Sequence, residues 1–131
     1  MKLLLVLCAL LANVALVHAE TWSVAGTVQA FRIDSLKGRH QIKVRLVQGG
    51  AWETTCGEMI VGENGGFSLT CQKPWFSNQA HLYMYHRLYY GEQCRYTKFP
   101  NIDPISSGDT WAISEYDDGE ASDDLCPHEY Y

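Results

Sequence analysis

The chain has 131 residues, with ten Lys and Arg against fifteen Asp and Glu and a formal net charge of −5 at pH 7. This length allows one modest hydrophobic core and excludes multidomain enzymes, and the acidic balance argues against nucleic acid as a partner, because its binding depends on Lys and Arg. Residues 20–108 hold nine basic and seven acidic residues, whereas residues 109–131 hold eight acidic residues and none that are basic. We therefore expect one domain over residues 20–116, followed by an acidic C-terminal tail over residues 117–131.

Residues 1–19 have the composition of a secretory signal peptide. They contain Lys2, an apolar run that starts at Leu3, and the pattern Val17-His18-Ala19 ahead of Glu20, which is typical of a cleavage site. No other apolar run approaches the ~20 residues that are needed to span a bilayer. The sequence thus predicts a secreted, extracellular protein that does not span the membrane.

Beyond residue 19 the chain contains four cysteines, Cys56, Cys71, Cys94 and Cys126. An even number of cysteines in a short exported chain indicates two disulfides, although four cysteines allow three pairings. Asn64-Gly65, which lies between two alternating apolar segments, is a strong signal for a β-hairpin. Folding the chain at this turn brings Cys56 close to Cys71, so we favour that bond and, by elimination, a bond between Cys94 and Cys126.

The segments rich in aromatic and β-branched residues alternate apolar and polar positions, and no segment has a convincing helical period. The clearest case is residues 41–47, where Val44 and Leu46 share one face and Lys43 and Arg45 the other. Gly, Pro, Asn and Asp turns separate the segments, so we predict an all-β, seven- or eight-stranded antiparallel β-sandwich with two disulfides. The predicted strands are 22–31, 41–47, 57–61, 67–71, 80–86, 93–99 and 110–116.

A metal site finds little support in the sequence. His81 and His86 are five residues apart on one predicted strand, so their side chains point to opposite faces and cannot bind one ion. Because the thiols are committed to disulfides, we expect no zinc or copper site and no cofactor. The acidic C-terminal region has oxygen ligands for calcium but lacks EF-hand spacing, and a solvated acidic face is the alternative. These acidic residues are Glu115, Asp117, Asp118, Glu120, Asp123 and Asp124.

The sequence also lacks the usual marks of a catalytic nucleophile. It has no Gly-x-Ser-x-Gly motif, and no cysteine remains to act with a histidine. Aromatic residues are the stronger signal, because exposed aromatics are enriched at binding surfaces. If the even-numbered residues of strand 80–86 face the core, Tyr83 and Tyr85 point outward. They are then exposed, unless another part of the chain covers them. The candidate binding residues are Tyr83, Tyr85, His86 and Tyr89.

Several motifs together resemble the transthyretin-like proteins that nematodes secrete. They are the segment Gly62-Glu-Asn-Gly-Gly-Phe67-Ser-Leu69, the strand end Leu82-x-Met84-Tyr85-His86, the pair Cys94-Arg95 and the late Cys126. The resemblance extends from Val24 to Cys126, implies a secreted transthyretin-like β-sandwich, and carries no catalytic residue with it. The family has one cysteine in the first strand, where this chain has Ala30 and Phe31, and another just after Tyr-His, where this chain has Arg87 and Leu88. The resemblance therefore implies no disulfide pairing.

These observations predict a non-enzymatic extracellular binding or signalling protein. Its expected partner is an extracellular protein, a lipid surface or a small apolar ligand, and it can form an oligomer. One alternative is a small hydrolase that uses His86, which requires a cleft where His86 lies within hydrogen-bonding distance of a carboxylate. Another is a structural or host-directed secreted factor that has no small-molecule site.

Overall fold

A computed structural model describes residues 20–131 except 75–76, 90, 92 and 117–118. The predicted signal peptide, residues 1–19, lies outside the described residues. Within them the chain forms strands and short 3₁₀ turns, and it contains no helix long and apolar enough to cross a membrane. The elements are β1 Thr21–Ala30, β2 Lys43–Gln48, β3 Thr54–Ile60, β4 Gly66–Gln72, β5 Ala80–His86, β6 Arg95–Phe99, β7 Ile105–Ile113, β8 Gly119–Glu120 and the 3₁₀ turn Asp123–Leu125.

The strands form two sheets in a sandwich-like arrangement, which confirms the predicted all-β class. One sheet has the order β4-β1-β7 and the other the order β3-β2-β5-β6-β8. The main error in strand position concerns β7, which begins at Ile105 rather than at residue 110. Ser106-Ser107-Gly108 has the composition of a loop, but this stretch pairs with β1 through an irregularity at Gly108, whose φ is +80°.

The prediction of a wholly antiparallel sandwich is wrong for one pair of strands. β1 and β7 run parallel, with Val28 opposite Trp111 and Ala30 opposite Ile113. Parallel neighbours require a crossover connection rather than a tight turn. Here the chain leaves the three-stranded sheet after β4, forms β5 and β6 in the other sheet, and returns to β7 in the direction of β1.

The predicted hairpin around Asn64-Gly65 is also wrong, although its turn chemistry is right. Gly65 has a φ of +87°, which glycine adopts without a steric penalty, and the Asn64 Oδ1 accepts a hydrogen bond of 2.9 Å from the Gly66 amide. However, β3 pairs with β2 and β4 pairs with β1, so the turn carries the chain from one sheet to the other.

Both predicted disulfides are confirmed, and each joins separate parts of the fold. Cys56 and Cys71 link β3 and β4, the edge strands of different sheets, across a Cα–Cα distance of 5.8 Å. Cys94 and Cys126 link the segment before β6 to the C-terminal region across 5.7 Å. The first bond therefore staples the two layers, and the second ties down the C-terminal segment.

The core lies between the sheets and is filled by alternate residues of the strands. In β2, Val44 and Leu46 are fully buried, whereas Lys43 and Arg45 lie on the opposite face. Fully burying an aliphatic side chain of this size contributes about 1.5–3 kcal/mol. The core residues are Trp22, Val24, Val28, Ala30, Leu36, Ile42, Val44, Leu46, Val61, Phe67, Leu69, Ala80, Leu82, Met84 and Ile113.

The described part of the C-terminal segment, residues 119–131, packs on the sandwich. Its strand β8 pairs with β6, and Tyr130 forms an isolated bridge with His40. The Tyr131 hydroxyl donates to the Val61 carbonyl at 2.6 Å and accepts from the Ile42 amide at 3.2 Å. These contacts place residues 128–131 beside the loop between β1 and β2.

Candidate functional site

The four binding residues predicted from the sequence fall in different places. The alternation of β5 puts Tyr83 and Tyr85 on the outer face of the five-stranded sheet, because their neighbours Leu82 and Met84 fill the core. His86 is buried at the end of β5, and Tyr89 follows in the next loop. The structure therefore does not bring these residues together as one site.

We call the outer face around Tyr83, Tyr85 and Tyr96 the tyrosine face. Tyr83 is 8% exposed and Tyr85 2% exposed, so another part of the chain covers them, as the sequence alternative allowed. The Arg45 guanidinium lies 5.1 Å from the Tyr83 ring centre and 5.4 Å from that of Tyr85. A cation over an aromatic ring is worth about 0.5–1 kcal/mol or more. The tyrosine face is thus a packed layer rather than an open binding surface.

The Glu53 carboxylate lies between the Tyr83 hydroxyl and the Lys98 ammonium group at one end of the tyrosine face. Glu53, in the loop after β2, accepts hydrogen bonds of 2.8 Å from the Tyr83 hydroxyl and from Lys98 Nζ. The hydrogen bond from Lys98, and then that from Tyr83, hold the pKa of Glu53 below its ordinary value. Burial, and then the hydrogen bond to Glu53, raise the pKa of Tyr83 to about 12. These contacts tie the loop to the sheet.

The two histidines of β5 point to opposite faces of the sheet, as their spacing predicted. His81 Nδ1 accepts a hydrogen bond of 2.9 Å from the Asn101 amide. His86 is 1% exposed, and its ring meets the edge of Tyr89 at 5.7 Å between ring centres. A general base must reach the proton that it removes from a substrate. The burial of His86 therefore disfavours the hydrolase alternative.

A shallow cleft of about 230 Å³ opens at one end of the sandwich. It lies where the loop 31–42 and residues 87–89 and 91 meet the C-terminal segment, and we call it the loop-end cleft. Tyr89 lines it, as do several residues that the sequence analysis did not single out. The described lining residues are Gly38, Arg39, His40, Arg87, Leu88, Tyr89, Gly91 and Tyr130.

Arg87 connects two walls of the loop-end cleft. Its side chain is 6% exposed, and its guanidinium pairs with the Asp123 carboxylate. It also donates to the carbonyls of Asp123, Cys126 at 3.0 Å and Pro127 at 3.1 Å. The hydrogen bond from Arg87 lowers the pKa of Asp123. Arg87 thus holds the C-terminal segment against the loop that follows β5.

The acidic residues of the C-terminal region do not assemble a calcium site within the described part of the chain. No group of three or more His, Cys, Asp or Glu side chains lies close enough there to hold a metal ion. Asp123, one of the expected oxygen ligands, pairs with Arg87 instead and lies 3.4 Å from His128 Nε2. Asp117 and Asp118 lie outside the described residues.

The rim of the loop-end cleft is aromatic and basic. Tyr130 stacks on His40 with ring centres 4.0 Å apart and an interplanar angle of 28°, and Tyr130 remains 56% exposed. The Tyr89 hydroxyl donates to the Phe31 carbonyl at 2.6 Å, which ties this lining residue to the loop after β1. Arg39 is exposed, and within the described residues its guanidinium forms neither a hydrogen bond nor an ion pair.

Sequence reasoning missed Arg39, His40 and Tyr130 because they are loop and terminal residues far apart in the chain. The one available signal was the pair Tyr130-Tyr131 at the end of an acidic segment. Large aromatic side chains bury much apolar area and often anchor a segment. This pair therefore indicated a docked segment rather than a solvated tail.

Comparison with protein-family models finds no match, and comparison with curated proteins finds none either. Among solved structures, the chain is similar to part of a 9R-lipoxygenase from Cyanothece PCC8801, with 13% sequence identity and a TM-score of 0.44. The similarity covers 71% of this chain and 16% of the lipoxygenase chain.

Proposed function

We propose that the protein is a secreted, non-enzymatic extracellular binding protein of the transthyretin-like type, and that it holds a small ligand in the loop-end cleft. The observation that carries the proposal is the rim of this cleft, which is lined by the exposed Tyr130 and by Arg39, whose guanidinium has no partner among the described residues. Ligand sites in proteins typically combine concave shape, aromatic walls and a few convergent polar groups.

Two observations support secretion. The chain has two disulfides, which form and persist in oxidising compartments. Residues 1–19 have the composition of a signal peptide. The two-sheet, all-β architecture agrees with the β-sandwich that the resemblance to transthyretin-like proteins implies.

Binding is favoured over catalysis because several side chains that could take part in a reaction have structural roles instead. His86 is buried, Arg87 binds the C-terminal segment, and all four cysteines beyond residue 19 form disulfides. The small volume favours a small molecule over a lipid surface or an extracellular protein as the occupant of the cleft. The arginines and the histidine in its lining favour a polar ligand over an apolar one.

Equilibrium dialysis against the low-molecular-mass fraction of extracellular fluid, read by mass spectrometry, tests this function. The exported protein should concentrate at least one compound, and Tyr130→Ser should reduce that retention because it removes the aromatic wall. Trp52→Ser is the matched control. Trp52 is an aromatic residue with 76% exposure in the loop after β2, at the opposite end of that strand from loop 31–42.

Retention that survives Tyr130→Ser, or that Trp52→Ser abolishes, would place binding elsewhere and refute the proposal. An exported protein that concentrates no compound would refute it as well. Hydrolysis of ester or amide substrates that is lost in His86→Ala would establish the rival function.

A further inference from the structure

We infer that the ligand of the loop-end cleft is a small planar organic anion, an aromatic ring that carries a carboxylate. Arg39 pairs with the carboxylate and Tyr130 stacks on the ring. This inference rests on the proposed function, because it names the ligand class of the same cleft.

The charge of the cleft favours an anion. Its described lining contains two arginines and no acidic side chain. The Arg87 guanidinium is occupied by Asp123 and by backbone carbonyls, so Arg39 is the arginine available to a ligand. A guanidinium matches a carboxylate with two parallel hydrogen bonds, which are stronger than hydrogen bonds between neutral groups.

The shape of the rim favours a planar group. His40 stacks on one face of the Tyr130 ring, and Tyr130 remains 56% exposed, so the residue keeps accessible surface for a ligand. Aromatic rings prefer offset-stacked or edge-to-face contacts. A planar ligand ring that stacks on Tyr130 would make an offset-stacked contact.

The size of the cleft limits the ligand to about one ring. Its volume is about 230 Å³, which is below the ~300–1,000 Å³ of pockets for drug-sized ligands. Its walls are held by the Arg87 contacts and by the hydrogen bond from Tyr89 to Phe31. Because these walls are already ordered, they lose little conformational freedom on binding. A small ligand, which makes few contacts, can therefore offset the cost of binding.

Titration of the exported protein with 4-hydroxybenzoate, followed by NMR or calorimetry, tests the inference. We expect 4-hydroxybenzoate to bind at least about tenfold more tightly than the neutral 4-hydroxybenzamide, because charge-assisted hydrogen bonds are lost in the amide. We also expect the affinity to fall with added salt, which screens an exposed ion pair.

Four variants separate the two contacts. Arg39→Ala should weaken 4-hydroxybenzoate binding by about tenfold, and Arg39→Lys should recover only part of this loss, because an ammonium lacks the planar fork. Tyr130→Ser should weaken binding of both probes, whereas Tyr130→Phe should preserve it. Lys37→Ala is the matched control, since Lys37 is an exposed cation two residues from Arg39 and outside the described lining.

Equal binding of the two probes, no binding of either, or equal effects of Arg39→Ala and Lys37→Ala would overturn the inference. The proposed function would survive these results if the dialysis experiment still showed retention that depends on Tyr130. Conversely, retention that is independent of Tyr130 would refute the proposed function whatever the probes do.

Discussion

Gly26 occupies the closest approach between β1 and β7. A Cβ atom at this position would lie 2.5 Å from the Asp109 carbonyl oxygen and 2.8 Å from Trp111 Nε1. The Asp109 carbonyl belongs to the backbone, so a clash with it can be relieved only if β1 and β7 move apart. The parallel pairing of β1 with β7 therefore depends on the absence of a side chain at residue 26.

Gly26→Ala should lower the free energy of unfolding by about 1–3 kcal/mol, the usual cost of overpacking a close contact. Urea denaturation measures this change. Gly57→Ala is the control, because a Cβ there meets Leu69 Cδ2 at 3.7 Å, an ordinary van der Waals distance. We expect Gly57→Ala to be neutral or stabilising by up to about 1 kcal/mol. Equal destabilisation by both changes would contradict the close-contact explanation.

Tyr83 should ionise late in an alkaline titration. Burial and the bond to Glu53 raise its pKa from the ordinary 10 to about 12. A raised pKa means that the protonated phenol stabilises the fold, so this contribution is present below pH 10 and is lost as the pH rises from 10 to 12. Difference absorbance between the wild type and Tyr83→Phe should isolate a transition near pH 12. Glu53→Gln should move it to lower pH, and a transition already at pH 10 would contradict the prediction.

At the scale of elements, residues 119–131 of the C-terminal segment pack against the sandwich. β8 extends the five-stranded sheet, the Tyr131 hydroxyl bonds to the backbone of Val61 and Ile42, and Tyr130 forms part of the loop-end cleft. The bond between Cys94 and Cys126 holds this segment in place. The same bond therefore supports both stability and the candidate site.

The two disulfides should differ in function although they contribute similarly to stability. In the chain-entropy model, the separations of 15 and 32 residues correspond to about 3 and 3.5–4 kcal/mol. The double variant Cys94→Ala, Cys126→Ala should lose this stability, expose residues 119–131 to proteolysis and lose 4-hydroxybenzoate binding. The double variant Cys56→Ala, Cys71→Ala should lose about 3 kcal/mol and retain binding. Denaturant unfolding, limited proteolysis and titration measure these outcomes, and loss of binding in both variants would contradict the assignment.

For the whole molecule, we expect the strands in the middle of each sheet to contribute most to stability. β1 lies between β4 and β7, and β2 and β5 each lie between two neighbours, whereas β8 is a two-residue edge strand. Central strands also provide the fully buried Val24, Val44 and Met84. Opening these strands therefore exposes both hydrogen bonds and core.

Native-state hydrogen exchange should reflect this order. We expect the slowest exchange in β1, β2 and β5, at rates set by global unfolding, and faster exchange in β8, because edge elements open locally at lower free energy. Comparable protection of β8 and β2 would show that the C-terminal segment opens only with the whole domain. Separate exchange classes for the two sheets would show that the layers unfold independently.

Part of this fold was predictable because the relevant signals are local. Residues 41–47 alternate in the sequence, and Val44 and Leu46 enter the core as that alternation requires. The strand prediction for 80–86 agrees with β5. By contrast, the turn at Asn64-Gly65 looks like a hairpin, because turn chemistry is the same whether the next strand pairs with the previous one or crosses to another sheet.

The candidate site was less predictable than the fold. Alternation correctly puts Tyr83 and Tyr85 on the outer face, but it cannot show that Arg45 and the C-terminal segment cover them. Of the four predicted residues, Tyr89 lines the loop-end cleft. The rest of the rim comes from residues that meet through long-range packing.

By itself, the sequence determined the all-β class, the faces of several strands and the presence of two disulfide bonds, since side-chain alternation and cysteine number are properties of neighbouring residues and composition. The pairing of Cys56 with Cys71 was predicted from a hairpin that the structure does not contain, because the two cysteines lie on strands of different sheets. Only the tertiary structure decided which strands share a sheet, that β1 and β7 run parallel, and that Arg39, Arg87 and Tyr130 meet around one cleft. These features depend on contacts between distant segments, whose partners are selected by the packing of the whole core rather than by any local pattern.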